Sequence, residues 1–337
     1  MLPVDKSRYG AAAFKANKTL QTNTLRFCYE LRCLLSLEDC SKPSPSFSKY
    51  LDRLQHILGT DKSPSVRIEI ADVFASDGLA IVILHGLQRL DFETDKKLIA
   101  MLTALISLSP RLQAGLLAAG EELTATLLSG YADSKLYIIC GQFFRELLQF
   151  PALFQRALSV ATLRSLGLYS KSPQFEVSAD AFESLKLLLG SELEFLPDFL
   201  AANYVDIEGI LEDLRKTDNY FLKRQSLALT VHLLEQERNS QFRQLYAREP
   251  EHTKSAMTAL KSDSSRQVKV ESFFVFACIV DLQMRQSLEV QQQSGSLKII
   301  RKNKDRLVAF LQEFGQEVED EKFHGVKRRL LEALRVL

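Results

Sequence analysis

Apolar residues along this chain recur at helical spacing almost from end to end, and the pattern is clearest between Asp218 and Val280. Tyr220, Leu227, Val231 and Leu234 stand at i, i+7, i+11 and i+14, which is one face of an amphipathic helix. Asn219 is placed to cap its start, because a short polar side chain accepts from an orphan amide. Val270, Phe273, Ala277 and Val280 repeat the spacing in a second helix. Lys223, Arg224, Lys261, Arg266 and Lys269 are left over for solvent or for a partner. The same periodicity predicts helices over 12–38, 47–59, 66–75, about 78–88, and from Asp91 or Thr94 to the residues before Pro110. Helices at 111–129, 135–149 (capped by Ser134), 151–158, 175–189, 192–202, 205–215 and 218–236 follow. Those at 239–247, 250–260, 265–283 and a polar one at 285–299 come next, with RLVAFLQEFG and EKFHGVKRRLLEALRVL completing the chain. Residues 1–11 read as a loose arm, and DCSKPSPS (39–46) and DKSPS (61–65) as loops. LKII (297–300) is strand-like in composition but lies between helical patterns.

Helices in groups of three recur at about 43 residues, within the ~40–47 of armadillo- and HEAT-type units. One such unit cannot bury its apolar face alone, whereas stacked units share a continuous core. The expected fold is all-α: an armadillo/HEAT-like helical repeat solenoid of about six repeats, mostly of three helices, curved with a concave binding face. It forms a single domain over 12–337 after the 1–11 arm. Gly141, inside a helix, costs up to about 1 kcal/mol against alanine, so another part of the chain is expected to approach closely there.

Composition narrows the function. The chain has 337 residues, with 43 basic against 42 acidic, a net charge of +1. That balance argues against a dedicated nucleic-acid binder, which usually carries a clear positive excess, but leaves room for a local basic patch. The N-terminus has no apolar core of the signal-peptide kind, and no apolar run reaches membrane-spanning length. The expectation is a cytoplasmic protein with no membrane insertion. Cys28, Cys33, Cys40, Cys140 and Cys278 form no CxxC and no regular framework, and read as buried or incidental thiols.

No catalytic set emerges. The five histidines make no HExxH or Cys/His cluster, and His232 has no second ligand at helical spacing. Glu121–Glu122 and Glu319–Asp320–Glu321 read as helix-start or solvated charges rather than acid–base pairs. Neither a calcium loop nor a phosphate-binding glycine loop is present, so no enzyme activity, cofactor or metal is expected. KIIRKNKDR (298–306) has two readings: a solvated helix start and loop, or a site for an anionic group.

A set of phrases resembles one family in order and spacing. They are LDFETDKK (90–97), CGQFFREL (140–147), ADAFESLKLLL (179–189), NYFLKRQSLALTVHLL (219–234), VESFFVF (270–276), RLVAFLQEF (306–314) and EDEKF (319–323). They are similar to the calcium-binding protein 39 family, the Mo25-like scaffolds; the first sixty residues are the least similar. The resemblance implies an armadillo-like, non-catalytic scaffold that binds and stabilises the active form of a protein kinase or pseudokinase. Sterile-twenty-type kinases, the STRAD pseudokinase with a liver-kinase-B-type kinase, and NDR-type kinases are the partner classes it implies. It also implies two contact regions. On the concave face Phe182 and Arg224 match kinase-facing residues. In a C-terminal region of about 218–337, Met257 matches a pocket that takes a Trp-x-Phe tail, with Leu260, Lys261 and Arg306 nearby. Two positions depart from the family: the arginine and phenylalanine expected after the KRQSL helix fall on Glu237 and Ser240, with Arg238 and Phe242 as neighbouring substitutes. The free protein is expected to be a monomer. The alternative is a helical-repeat adaptor for non-kinase cargo, which shares the fold and differs only in what it holds.

Overall fold

A computed structural model of the chain describes residue 24 and residues 26–31, 33–34, 45–60, 64–76, 78–87, 89–263 and 265–337. The 1–11 arm, Cys40, the 39–44 and 61–63 parts of the two expected loops, and Leu20, Leu25 and Leu35 of the first helical pattern lie outside them. Among the described residues every regular element is helical. After a helical stretch around residues 26–34, the helices are α1 (Pro45–Thr60), α2 (Pro64–Ser76), α3 (Leu79–Gly86), α4 (Phe92–Ile106) and α5 (Pro110–Ser129). A 3-10 turn, Gly130–Ala132, leads to α6 (Tyr137–Leu147), α7 (Pro151–Ala157), α8 (Val160–Ser170) and α9 (Phe175–Gly190). Then come α10 (Leu196–Ala202), α11 (Tyr204–Arg215), α12 (Tyr220–Glu235), the 3-10 turn Glu237–Asn239, α13 (Ser240–Arg248) and α14 (Pro250–Ser262). The last are α15 (Arg266–Met284), α16 (Leu288–Gln293), α17 (Gly295–Glu313) and α18 (Glu321–Val336).

Local chemistry sets many of these starts. Asp91, Ser109, Ser159, Asn219, Ser265, Ser294 and Asp320 each accept a backbone N–H at a helix N-terminus. Pro110, Pro151 and Pro250 occupy the first turn, where the missing N–H costs nothing. Several expected boundaries move. Pro45 and Pro64 begin helices rather than sit in loops, as first-turn prolines do. Ser134 caps nothing, because α6 starts at Tyr137 after Leu136. The 285–299 stretch divides at Ser294 into α16 and α17, so LKII is helical and KIIRKNKDR lies inside α17 rather than at a helix start and loop.

The chain divides into two compact units, Met1–Ser184 and Leu185–Leu337. In the first unit α5 is the hub, packed by α2, α3, α6, α7 and α8, while α1 and α6 pack on α4. Its core includes stacked Phe27, Phe47 and Phe74, with ring centroids 5.3 and 6.0 Å apart. The Phe92–Ile106 and Pro110–Ala132 helices are together apolar enough for a membrane span but are bent by 114° at their junction. Their leucines and isoleucines are mostly buried in the unit, and no single helix among the described residues is long and apolar enough to cross a membrane.

In the second unit, helices at equivalent positions of successive triplets pack on one another. α10 lies on α13, α14 on α17, and α12 on α15, which in turn packs on α18. This is the physical meaning of the repeat: each triplet covers the apolar face that the previous one exposes. α12 and α15 are therefore buried on more than one face. Small polar residues mark their tightest sides: Ser226 and Ser272 are fully buried, and Ser226 Oγ donates to the Leu211 carbonyl at 2.9 Å. Phe273, Phe314 and Phe323 close the C-terminal end, with Phe273 and Phe323 4.6 Å apart between ring centroids.

Candidate binding surfaces

Two buried polar networks brace the units. In the first, Arg145 on α6 holds Asp180 on α9 through two hydrogen bonds, at 2.9 and 2.8 Å. Tyr131 donates to the same carboxylate at 2.8 Å, and Arg145 reaches Ser184 Oγ at 2.9 Å. Burial, and then Asp180, push the Tyr131 phenol well above its usual range. Burial alone would lower the Arg145 guanidinium, but the hydrogen bond and charge of Asp180 outweigh it and hold the pKa up. Gly141 makes this possible: a methyl group there would collide with Asp180 Oδ1 and lie 2.6 Å from the Tyr131 hydroxyl. The close approach expected at Gly141 is this side-chain cluster.

In the second unit, Glu208 on α11 is in a short ion pair with Arg215, which also donates to Thr230 Oγ1 at 3.0 Å. His252 Nδ1 lies 3.6 Å from the Glu208 carboxylate, its Nε2 is 2.9 Å from the Tyr204 hydroxyl, and its ring stacks on Tyr246 at 4.0 Å. Burial raises Glu208 to about 7 against the opposing pull of Arg215. Burial, then Arg215, lower His252 to about 4. Every one of these groups is turned inward, so the network serves packing.

The residues singled out in the sequence fall into three groups. Phe182 and Phe242 are core residues, 2 % and 0 % exposed. Phe242 packs edge-on against Tyr204 at 5.4 Å. Both rings are packed into the core, unlike the surface residues named with them. Arg224 is different: its side chain is 44 % exposed on α12, with Nε 3.7 Å from Glu271 on α15. Burial raises the Glu271 carboxyl while Arg224 opposes that shift. Arg238 is half-buried and donates through Nη2 to the Ser191 carbonyl at 2.6 Å, which commits it to the fold. Glu237 and Ser240, at the departing positions, are both exposed.

The third group lies on neighbouring helices. Met257 is half-buried on α14, Leu260 is buried one turn on, and Lys261 is exposed at the helix end. Arg306 is exposed on α17, which packs against α14. Neither Lys261 nor Arg306 takes part in a hydrogen bond or ion pair among the described residues. In the basic run, Lys304 is tied to the Arg335 carbonyl at 3.0 Å, while Lys298, Arg301 and Lys302 point to solvent.

Sequence reasoning missed a cleft of about 320 Å³ in the second unit. The end of α12 (Leu234, Glu235), Glu237, Arg243 on α13, Phe274 to Arg285 on α15 and Val326 to Ala333 on α18 line it. Four elements distant in sequence build it, and only Phe274, odd among the core residues of VESFFVF, hints at it in the sequence. Burial pushes the thiol of Cys278 in the cleft, and that of Cys140 in the first unit, up to about 12. Both stay protonated at neutral pH and are poor nucleophiles. No group of three or more His, Cys, Asp or Glu among the described residues is arranged to hold a metal ion.

A core of stacked helix triplets with cationic, half-apolar surfaces defines an all-α helical-repeat protein. The chain belongs to the Mo25-like family, whose model matches residues 14–337. The match reaches well into the first sixty residues, where the phrase-by-phrase resemblance is weakest. Among its relatives, a human "calcium-binding protein 39-like" protein is 29 % identical over 306 residues, 88 % of each chain. The "degreening-related gene dee76 protein" of Auxenochlorella protothecoides is 29 % identical over 320 residues, covering 93 % of this chain and 95 % of its own. A "Mo25-like protein" of Schizosaccharomyces pombe is 24 % identical over 320 residues, covering 92 % and 94 %. As a member of this family the chain is a helical-repeat protein.

Proposed function

We propose that this protein is a scaffold that binds a protein kinase or pseudokinase and favours its active conformation, without chemistry of its own. The observation that carries the reading is the family match over 14–337, together with the exposed, weakly paired Arg224 in the NYFLKRQSLALTVHLL phrase. Arg224 supplies a fork-shaped donor that a partner carboxylate or carbonyl can take in place of the 3.7 Å contact with Glu271. Half-buried Met257 on α14, backed by buried Leu260 and with Lys261 and Arg306 unpaired on α14 and α17, suits the apolar tail of the same partner and its terminal or acidic charge. Two attachments on one scaffold raise the effective concentration of each. A scaffold that contacts the active form better than the inactive one shifts the population toward activity.

The test is capture of partners from the protein's own cells with the intact chain, its Arg224→Ala form and its Met257→Ala form as baits, read by mass spectrometry. A kinase or pseudokinase enriched by the natural chain and depleted at least severalfold from either variant supports the reading. Recovery of the same non-kinase proteins by all three forms would replace it with the cargo-adaptor reading.

A further inference from the structure

The cleft between α12, α13, α15 and α18 is lined by three acidic residues and three arginines, but they are unevenly paired. Glu235 is taken by Lys322 at 2.9 Å, and Asp281 by Arg285 at 2.9 Å. Glu237 is exposed at the rim and has no partner among the described residues. Arg243 and Arg329, on walls contributed by α13 and α18, have no hydrogen-bond or ion-pair partner among the described residues either. The Nε–H of Arg243 is moreover buried with no acceptor. A buried donor in that state is costly, and an anion is the acceptor that satisfies it best. The cleft's lining is mixed: Leu234, Phe274, Ala277, Val280, Val326 and Leu330 supply an apolar part beside the charged residues. Its volume, about 320 Å³, is at the small end of ligand pockets. It suits one large apolar side chain and its flanks rather than a whole cofactor.

We propose that this cleft docks an extended segment of a partner protein in which acidic residues flank a large aliphatic one. The aliphatic side chain fills the cleft against Phe274, Ala277 and Val280, and the carboxylates accept from Arg243 and Arg329. Glu237 at the rim disfavours segments with additional acidic residues on its side, which sets the direction of the bound chain. The site shares no lining residue with the Met257 side of α14 and does not depend on whether the partner is a kinase.

Fluorescence anisotropy with the full chain tests it, using a labelled peptide with Glu-Leu-Glu at its centre between Gly-Ser flanks. Arg243→Gln is expected to weaken binding about tenfold and Arg329→Gln severalfold, while Arg248→Gln, an exposed charge outside the cleft, leaves it unchanged. Matching peptides with Lys-Leu-Lys or Glu-Ala-Glu should bind at least tenfold more weakly. Equal binding of the acidic and basic peptides, or no binding of the acidic one, overturns the proposal. So does binding that survives both arginine variants but is lost in Met257→Ala, since the peptide then occupies the α14 surface. Arg329 is an exposed residue of the cleft wall, so its variant decides the matter even if Arg243→Gln proves less stable on thermal melting.

Discussion

At the residue scale, the two buried networks make different demands. Gly141 gives up about 1 kcal/mol of helix propensity relative to alanine. Its lack of a side chain leaves room for the Tyr131–Asp180–Arg145 cluster. Overpacking costs roughly 1–3 kcal/mol, and loss of a charged buried hydrogen bond about 1.5–3 kcal/mol. These exceed the propensity gain, so Gly141→Ala is expected to destabilise the protein by about 2 kcal/mol, read as a lower urea midpoint at unchanged slope. The second network makes a pH prediction. Glu208 is raised from 4.5 to about 7, so its contribution to stability is complete below pH 4.5 and is lost as pH rises through 7. His252 is lowered from 6.5 to about 4, so its contribution is complete above pH 6.5 and is lost as pH falls through 4. Between about pH 4.5 and 6.5 the two slopes oppose each other. Glu208→Gln removes one of them. The variant should differ least from the natural chain below pH 4.5, where Gln replaces a neutral carboxyl of nearly the same shape. Its melting temperature should also fall more steeply than that of the natural chain between pH 6.5 and 4.5. Parallel profiles would mean that the Glu208 carboxyl is not raised by its burial. None of these residues stood out by motif: Glu208 and His252 lie 44 positions apart and meet only because α11 and α14 bring them to one cluster.

At the element scale, periodicity identified most helices, and local chemistry identified many of their starts. Asn219 caps α12 as its side chain suggests, accepting from Leu222 N at 3.3 Å. What periodicity does not register is a break in a continuous apolar stripe. The helix expected over 111–129 runs from Pro110 but is kinked at Gly120, which has φ 59° and ψ −131°. Only glycine adopts that backbone readily. A Cβ there would also lie 2.8 Å from the Arg156 guanidinium. The apolar residues on both sides of the kink are buried, so the stripe alone reads as one straight helix. Gly120→Ala should therefore destabilise by about 1–3 kcal/mol, a drop visible in the thermal midpoint. An unchanged midpoint would show that the kink is not held in this conformation. α16 and α17 are the converse case. Their glutamines and lysines obscure the stripe, and Ser294 marks the break only through the bond it accepts from Leu297 N at 3.1 Å.

At the scale of the whole molecule, a helical repeat separates folding from recognition. The third helices α12, α15 and α18 pack in series and bury most of their apolar residues against one another. What remains at their ends and edges is free to differ between relatives. Glu237, at a position where the resemblance implies an arginine, lies there, in the lining of the 320 Å³ cleft. Reversing a charge at such a rim alters which partners are accepted while leaving the fold alone. Arg224 is exposed, whereas Arg238 donates to the Ser191 carbonyl.

The sequence by itself determined the class of the molecule. Apolar spacing, cap residues and first-turn prolines are local properties, and the repeat of about 43 residues follows from stacking units of similar size. The ordered family phrases were equally legible in one dimension. Only the tertiary structure decided which of the candidate residues are available. Phe182, Phe242, Arg224 and Met257 all lie in helical, partly apolar stretches, and a stripe does not reveal which of its members meets another helix. Packing buried the two phenylalanines, left Arg224 at the surface and Met257 half-covered, and built the Arg243–Arg329 cleft from four separate elements. The physical reason is that burial and charge pairing depend on neighbours brought together by the fold, and those neighbours are far apart along the chain.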